Sequence, residues 1–283
     1  MPKLIQYCEN NNTPLVDNND SVLPRTYFNI IRLNKSDRFT NLLKCYESVY
    51  VVLKGNCDFI VNGKCFDSVG KRDDIWNGKA DSIYVGVAQN IEIISNSDGV
   101  EIAVAGGSCD KSYAPFRIKP EDVDMVDVGS VETHSHRKIF HILGHNGNGK
   151  AGNLLVSELY CDDGCWSGYP PHKHCKDIQT PTGFEETGFE EVYHYRFNPS
   201  NGFGCQFLFN DDIERKCKMI MNGDTVLIED GYHPTVTSPG HKIYIFTILV
   251  GHTQRSLVQN FKPEYRHLMN KIPGINDMCS KFK

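Results

Sequence analysis

No stretch of this chain approaches the ~20 consecutive apolar residues of a membrane-spanning helix, and residues 1–20, MPKLIQYCENNNTPLVDNND, hold no apolar core of the kind a secretory leader needs. A run of lysine and arginine is missing too. With 30 basic against 35 acidic residues and a formal net charge of −5, the chain lacks the basic patch that phosphate backbones require, so neither nucleic acid nor a membrane is an expected partner. Eleven cysteines, an odd number, are scattered from Cys8 to Cys279 without a disulfide framework. That usage excludes a typical secreted scaffold and points to free thiols in a reducing cytoplasm. Histidine is absent from the first 133 positions, although eleven follow. What remains is the composition of a soluble globular protein, 40% hydrophobic and 23% charged over 283 residues, enough for one large domain or two ordinary ones.

Strand signals dominate. VYVVLKGNCDFIVNGKCF (49–66) reads as three strands with bends at Gly55 and at Asn62-Gly63. DSIYVGVAQNIEIIS (81–95) and VEIAVAG (100–106) continue the texture, and a charged, turn-rich connector occupies 110–138. Strand sequence resumes with FHILG (140–144), NLLVSELY (153–160), EVYHYRF (191–197), CQFLF (205–209), DTVLIEDG (224–231) and KIYIFTILVG (242–251). Helical spacing is confined to RFTNLLKCY (38–46), which could equally be a turn or edge segment, and KPEYRHLMNKI (262–272). Many short strands with almost no helix predict a β-sandwich or β-barrel.

An internal repeat sharpens this. SIYVGVAQNIEIIS (82–95) lies without gaps on TVLIEDGYHPTVTS (225–238), each preceded by an expected hairpin turn, Asn62-Gly63 and Asn222-Gly223. The pattern predicts two copies of one small barrel meeting near residue 125. The first copy cannot host a histidine-ligated metal, and Asn90 stands where the second has His233.

In the second copy, WSGYPPHKHCK (166–176) places His172 and His174 on one face of an extended segment that Pro170 and Pro171 favour. Glu191 opens the apolar run EVYHYRF, where an ionised carboxylate is costly without a partner. His233 sits at a turn between two apolar strands. A lone histidine in a β protein is ordinarily a hydrogen-bonded core or surface group. Three imidazoles and a carboxylate converging in a barrel instead make an open site for a divalent metal. Two other patterns carry less. His134 and His136 share the same spacing but sit in the connector, followed by Arg137 and Lys138, and read as a solvated segment. Cys161, Cys165, His172 and Cys175 fit no zinc spacing, and Cys175 has no evident base to make it a nucleophile.

The stretches NLLVSELYCDDGCWSGYPPHKHCK, FEEVYHYRFNPSNGFGCQFLF and GDTVLIEDGYHP resemble the 5-deoxy-glucuronate isomerases of myo-inositol catabolism. These are bicupins related to the uronate ketol-isomerases of pectin breakdown. The resemblance extends more loosely through the first half. It implies an all-β fold of two tandem double-stranded β-helix (jelly-roll) barrels with little helix: a metal-free N-terminal cupin over 1–125 and a metal-bearing cupin over 126–283. It further implies His172, His174, Glu191 and His233 as ligands to one divalent metal, zinc first, with manganese or iron as alternatives. Cys175, where the family commonly has aspartate, and the tail FKPEYRHLMNK depart from its pattern.

The implied reaction interconverts an aldose and a ketose of a small sugar acid through an enediol. Strand parity places Tyr193 and Tyr195 beside Glu191, and Gln206 on the next strand is a candidate to hold a substrate hydroxyl. Tyr193 and Gln206 are the catalytic candidates. For the substrate, Tyr195 and the loop residue Tyr169 join Lys173 and Arg196, the basic residues nearest in sequence, although both have the wrong parity for the barrel interior. The sequence is compatible with a homo-oligomer. Competing readings are an isomerase of a related 5-keto-4-deoxyuronate, a sugar-binding bicupin without turnover, and an iron-dependent dioxygenase on the same scaffold.

Overall fold

Along Cys57–Val61 the side chains of Cys57, Phe59 and Val61 are buried while Asp58 and Ile60 are half-buried, the period of two that makes a strand with one face on a core. Asn62 and Gly63, both at positive φ, close the two-residue turn that returns the chain into the next strand. Repetition of this device builds the protein. The computed structural model describes residues 3–211 and 215–281.

Strand β1 (Lys3–Ile5) opens the chain, followed by β2 (Thr26–Leu33), β3 (Arg38–Leu42), β4 (Tyr46–Lys54) and β5 (Cys57–Val61). Next come β6 (Lys64–Val69), β7 (Asp81–Val85), β8 (Asn90–Ser95), β9 (Val100–Ser108) and β10 (Phe116–Ile118). Across the expected connector run β11 (Asp124–Val128) and β12 (Arg137–Leu143), then β13 (Leu154–Cys161) and β14 (Trp166–Ser167). Three short strands follow, β15 (His172–Lys173), β16 (Ile178–Thr180) and β17 (Gly183–Glu186). The long β18 (Phe189–Asn198) leads to β19 (Phe203–Phe209), β20 (Arg215–Met221) and β21 (Thr225–Ile228). The last strands are β22 (Thr235–Thr237), β23 (Lys242–Gly251) and β24 (Asn260–Phe261).

The chain divides into two compact units, one of Glu9–Asp124 with His141–Val156, the other of Met1–Cys8, Met125–Phe140 and Ser157–Lys283. In the first, a sheet in the order β10-β7-β4-β9-β2 faces a second, β3-β8-β5-β6, over an apolar core that includes Tyr50, Phe59, Ile83, Ile93 and Ile102. The other contains the sheet order β14-β22-β19-β20, the strands β1, β21, β18, β23 and β11, and parts of β13 and β12, with Tyr195, Phe197, Ile220, Val226 and Ile245 inside. Both are jelly rolls, and the fold is an all-β bicupin.

The ladders make the repeat explicit. β4 lies between β7 and β9 as β18 lies between β21 and β23, and β8-β5-β6 matches β22-β19-β20. Ser48 pairs with Val85 and Gly106, while Glu191 pairs with Ile228 and Leu249. One constant offset in numbering relates all three pairs, and it is the offset that aligns 82–95 with 225–238.

Of the two readings open for RFTNLLKCY, the edge segment holds: residues 38–42 form a strand at the edge of its sheet, with exposed and half-buried positions alternating and every residue paired with β8. Two expectations are corrected. In the tail, Pro263–Leu268 is a 3-10 helix, and the only α-helix among the described residues, Ile275–Lys281, begins later, beyond Gly274 at φ +73°. Asn222-Gly223 is not a hairpin turn but links β20 to β21, which lie in different sheets. The Asn222 side chain accepts the Phe197 amide, and the Gly223 amide donates to the Tyr195 carbonyl, tying the crossing to β18. Among the described residues no helix is long and apolar enough to cross a membrane.

Candidate metal centre

β18 is hydrogen-bonded on both sides, by β21 and β23, so the orientation of its side chains is fixed by its register. Alternation sends Glu191 and Tyr193 to the same face, where both line one cavity. His172 arrives on β15, whose pairing with β24 sets it opposite Phe261, and His174 follows one residue past that strand. His233 is delivered by a turn after Gly231. That glycine has φ +97°, and a Cβ there would lie 2.9 Å from the Phe209 carbonyl oxygen, so a larger residue is excluded twice over.

These elements bring the three imidazoles together. Ligand-capable atoms of His172, His174 and His233 lie within 4.8 Å of one another, and all three residues are buried. Glu191 completes the group, with its Oε2 3.1 Å from Nε2 of His174 and 3.1 Å from Nε2 of His233. The expected convergence is therefore present in the geometry.

Backbone carbonyls set the tautomers. Nδ1 of His172 lies 3.1 Å from the Pro170 carbonyl, and Nδ1 of His233 lies 2.9 Å from that of Gly231. A carbonyl can only accept, so each Nδ1 donates and each Nε2 is turned into the site. Nε2 of His233 is buried with no hydrogen-bond donor, although a carboxylate oxygen stands beside it. An imidazole nitrogen without a hydrogen bond and a carboxylate oxygen, buried side by side, are ligand atoms that a bound cation would satisfy. The donor set and the orphaned nitrogen therefore fit a divalent metal.

Electrostatics follow from burial. Burial, reinforced by the neighbouring His233 and His174, holds His172 well below the ordinary histidine range. For His174 burial pulls in the same direction, but the Glu191 carboxylate outweighs it and the net shift is upward. Burial raises Glu191, yet contacts with His174 and His233 win and keep it below the usual carboxylate range. Tyr193 is held well above the ordinary phenol range, by burial first and the Glu191 charge second.

The other candidates are distributed differently. Tyr195 donates to Oε1 of Gln206 at 2.6 Å. The Gln206 amide nitrogen donates to the carbonyls of Phe207 and His233, both at 2.8 Å. Gln206 is thus engaged within the protein and holds the turn that presents His233. Tyr169 packs its ring against Trp166 and Tyr265. Lys173 points away from the imidazoles, to Asp211 at 3.4 Å and over the Tyr232 ring at 5.1 Å, and Nε of Arg196 donates to Nε2 of His194 at 3.0 Å. The wrong parity of these two basic residues is visible in where they sit. Cys175 is a poor nucleophile, its thiol pushed up to about 12 by burial and by hydrogen bonding with Asp230. All eleven cysteines are free, and among the described residues the three histidines are the only compact group of potential metal ligands.

The connector reading is corrected in part. His136 is partly exposed, but Ser135 and Arg137 are fully buried, and Arg137 lines the same cavity as His172, His174, Glu191 and Tyr193. The signal was present: Arg137 shares strand parity with Ile139, His141 and Leu143, all buried in β12. Gln259 was also missed. Its side-chain nitrogen stands 2.9 Å from Nε2 of His172, and with Leu257 and Met278 it walls the cavity from the C-terminal tail.

Comparison with known proteins agrees with this geometry. Residues 4–268 match the KduI/IolB family. The 5-deoxy-glucuronate isomerase of Geobacillus kaustophilus is 31% identical over 228 residues, 79% of each chain. An IolB-like protein from Salmonella typhimurium has the same fold, with a TM-score of 0.85 at 24% identity over 94% of this chain and 98% of its own. Oxalate decarboxylase of Bacillus subtilis, described with Mn(II) centres, shares the fold more distantly, with a TM-score of 0.53 at 12% identity over 80% of this chain and 68% of its own. The chain thus belongs to the KduI/IolB family and is an isomerase on a bicupin scaffold.

Proposed function

We propose that the protein is a metal-dependent aldose–ketose isomerase that converts 5-deoxy-D-glucuronate to 5-dehydro-2-deoxy-D-gluconate in the cytoplasmic breakdown of myo-inositol. The observation that carries this reading is the meeting of His172, His174, His233 and Glu191, with the Nε2 atoms of His172 and His233 turned inward by backbone carbonyls. These four residues hold one divalent ion, zinc first and manganese as the alternative, in the barrel of residues 126–283, while the barrel of residues 1–125 holds none. When bound, the ion supplies Lewis-acid polarisation of a carbonyl and stabilises negative charge on oxygen.

The reaction moves one hydrogen. The C2–H bond breaks, a C1–H bond forms, the C1 aldehyde becomes a hydroxyl and the C2 hydroxyl becomes a carbonyl. Between the two lies an enediol whose oxygens exchange protons. Tyr193 lines the cavity next to Glu191, and its hydroxyl is placed to give and take a proton at those oxygens. Gln206 keeps His233 in position through the carbonyl it binds. The apolar walls, Ile139, Leu159, Leu249 and Leu257, limit the water that reaches the enediol.

Proton NMR of 5-deoxy-glucuronate in D₂O tests the reading. Ketose signals are expected with the purified protein, lost after chelation and restored by zinc or manganese. A folded, metal-loaded protein that leaves the aldose unchanged refutes the proposed reaction.

A further inference from the structure

Arg137 is the most deeply buried cation in the described structure, 1% exposed and inside the sheet on β12. One terminal nitrogen donates to the Ser135 carbonyl and the other to the Tyr169 carbonyl, each at 2.9 Å. Nε is buried without a partner, and among the described residues no carboxylate is paired with the guanidinium. A guanidinium carries five N–H donors and stays charged, so two neutral carbonyls leave both its charge and much of its donor fork unspent. Burying such a charge alone is strongly unfavourable. A protein that keeps one inside its site has a use for an anion there.

The geometry points to Arg137 as the anchor for the carboxylate of the sugar acid, orienting the opposite, carbonyl end toward His172, His174, Glu191 and His233. This rests on the isomerase reading above for the identity of the substrate. Its support is independent of that reading, because Arg137 lines the cavity that His172, His174, Glu191 and Tyr193 line. A divalent ion held by one carboxylate and three neutral imidazoles leaves that end of the cavity positive, and Arg137 adds a second positive centre. A substrate with a carboxylate at one end and a developing enediolate at the other matches both. The carbonyls of Ser135 and Tyr169 fix the guanidinium plane in advance, so a planar carboxylate meets a preset fork. The competing cations are engaged elsewhere, Lys173 with Asp211 and Arg196 with His194.

The test uses metal-loaded wild type, Arg137→Lys and Arg137→Gln, with metal content and melting curve recorded for each. Turnover is compared on 5-deoxy-glucuronate and on its neutral analogue bearing a hydroxymethyl group in place of the carboxylate. Arg137→Gln is expected to lose about 10²–10³-fold in kcat/KM on the acid and to leave the neutral analogue within about twofold, with Arg137→Lys intermediate. Equal losses on both substrates with metal retained assign Arg137 a purely structural role and overturn the inference. Calorimetric titration with D-glucuronate, against glucose as control, reads the anchor without turnover. Glucuronate is expected to bind wild type at least tenfold more tightly than Arg137→Lys, a variant that keeps the buried charge should the glutamine form fail to fold. Equal binding, or none to wild type, overturns the anchor. Arginine-dependent glucuronate binding in a protein that does not isomerise 5-deoxy-glucuronate removes the reaction and leaves the anchor standing.

Discussion

The main strands of the two barrels run in the same order, and at the site what separates them is two exchanges and one longer connection. By ladder register Glu191 corresponds to Ser48 and Tyr193 to Tyr50, and the same offset in numbering sets His233 opposite Asn90. β3 and β14 also correspond, since Phe39 pairs with Ile93 as Trp166 pairs with Val236. From there the first barrel needs only residues 43–45 to reach β4, while the second spends residues 168–188 before β18. His172 and His174 lie in that longer path. A site therefore arises from a longer connecting segment carrying two ligands, plus a glutamate at the buried position of Ser48 and a turn histidine where the first barrel has the exposed Asn90. The rest of the barrel is common apolar packing.

The strongest way to break the contrast is to give the second barrel the residues of the first. Glu191→Ser and His233→Asn are each expected to lower bound metal and isomerase activity on the order of 10³-fold, beyond the 10–100-fold typical of residues supporting a ligand. Their far-ultraviolet circular dichroism should remain that of the wild type, because the ladders around them are untouched. Elemental analysis alongside the NMR assay checks both halves. Full activity in Glu191→Ser removes the carboxylate from the ligand set.

The reverse exchange asks whether two residues suffice. Ser48→Glu with Asn90→His is expected to bring no metal binding, since nothing in residues 43–45 replaces His172 and His174. Ser48 is 1% exposed, so the new carboxylate is buried without a cation. A cost of about 3 kcal/mol follows, measurable by urea denaturation. Stoichiometric zinc in that variant would show the insertion to be dispensable.

Tyr50 and Tyr193 sharpen the comparison further, because the same residue stands at corresponding positions. Tyr50 is fully buried, with its hydroxyl accepting from Asn41 at 3.2 Å, whereas Tyr193 lies beside Glu191 in the cavity. Tyr193→Phe should lower kcat about 10²-fold with metal retained, and Tyr50→Phe should leave kcat unchanged. Equal effects would make Tyr193 a packing residue only.

How much of this was legible follows from which physics sets each feature. The strands, the repeat and the four-residue cluster were readable because period two, turn residues and histidine placement are local signals. The segment at 38–42 stayed open between helix and edge segment because a short apolar run suits either period. Arg137 escaped because a charged residue in a polar connector reads as solvated until the sheet is seen to continue through it. Gln206 was noticed but given a substrate contact. Only the fold shows its amide held by Phe207 and His233, a tertiary fact that no spacing encodes. Gln259 comes from a tail whose approach to His172 is equally nonlocal.

The barrels also differ in how their ion pairs respond to pH, and this gives the smallest expected effect. The first ties Arg117 to Asp81 through two parallel hydrogen bonds, at 2.9 and 2.6 Å, from a guanidinium that stays charged across the neutral range. The second sets His136 between Asp162 at 2.5 Å and Asp127 at 2.8 Å. The Asp162 contact, opposed by burial and assisted by Asp127, holds His136 above the ordinary histidine value. Both ring nitrogens can donate only when the ring is protonated. The stabilisation is therefore complete below about pH 6.5, where the unfolded chain also protonates, and is lost as pH rises through the higher folded value. With Asp127 50% and Asp162 43% exposed, screening limits the effect to a few tenths of a kcal/mol. His136→Gln should lose that increment at pH 6 and match wild type by pH 9, in urea denaturation at low salt. A difference that stays constant from pH 6 to 9 would assign the contribution of His136 to packing.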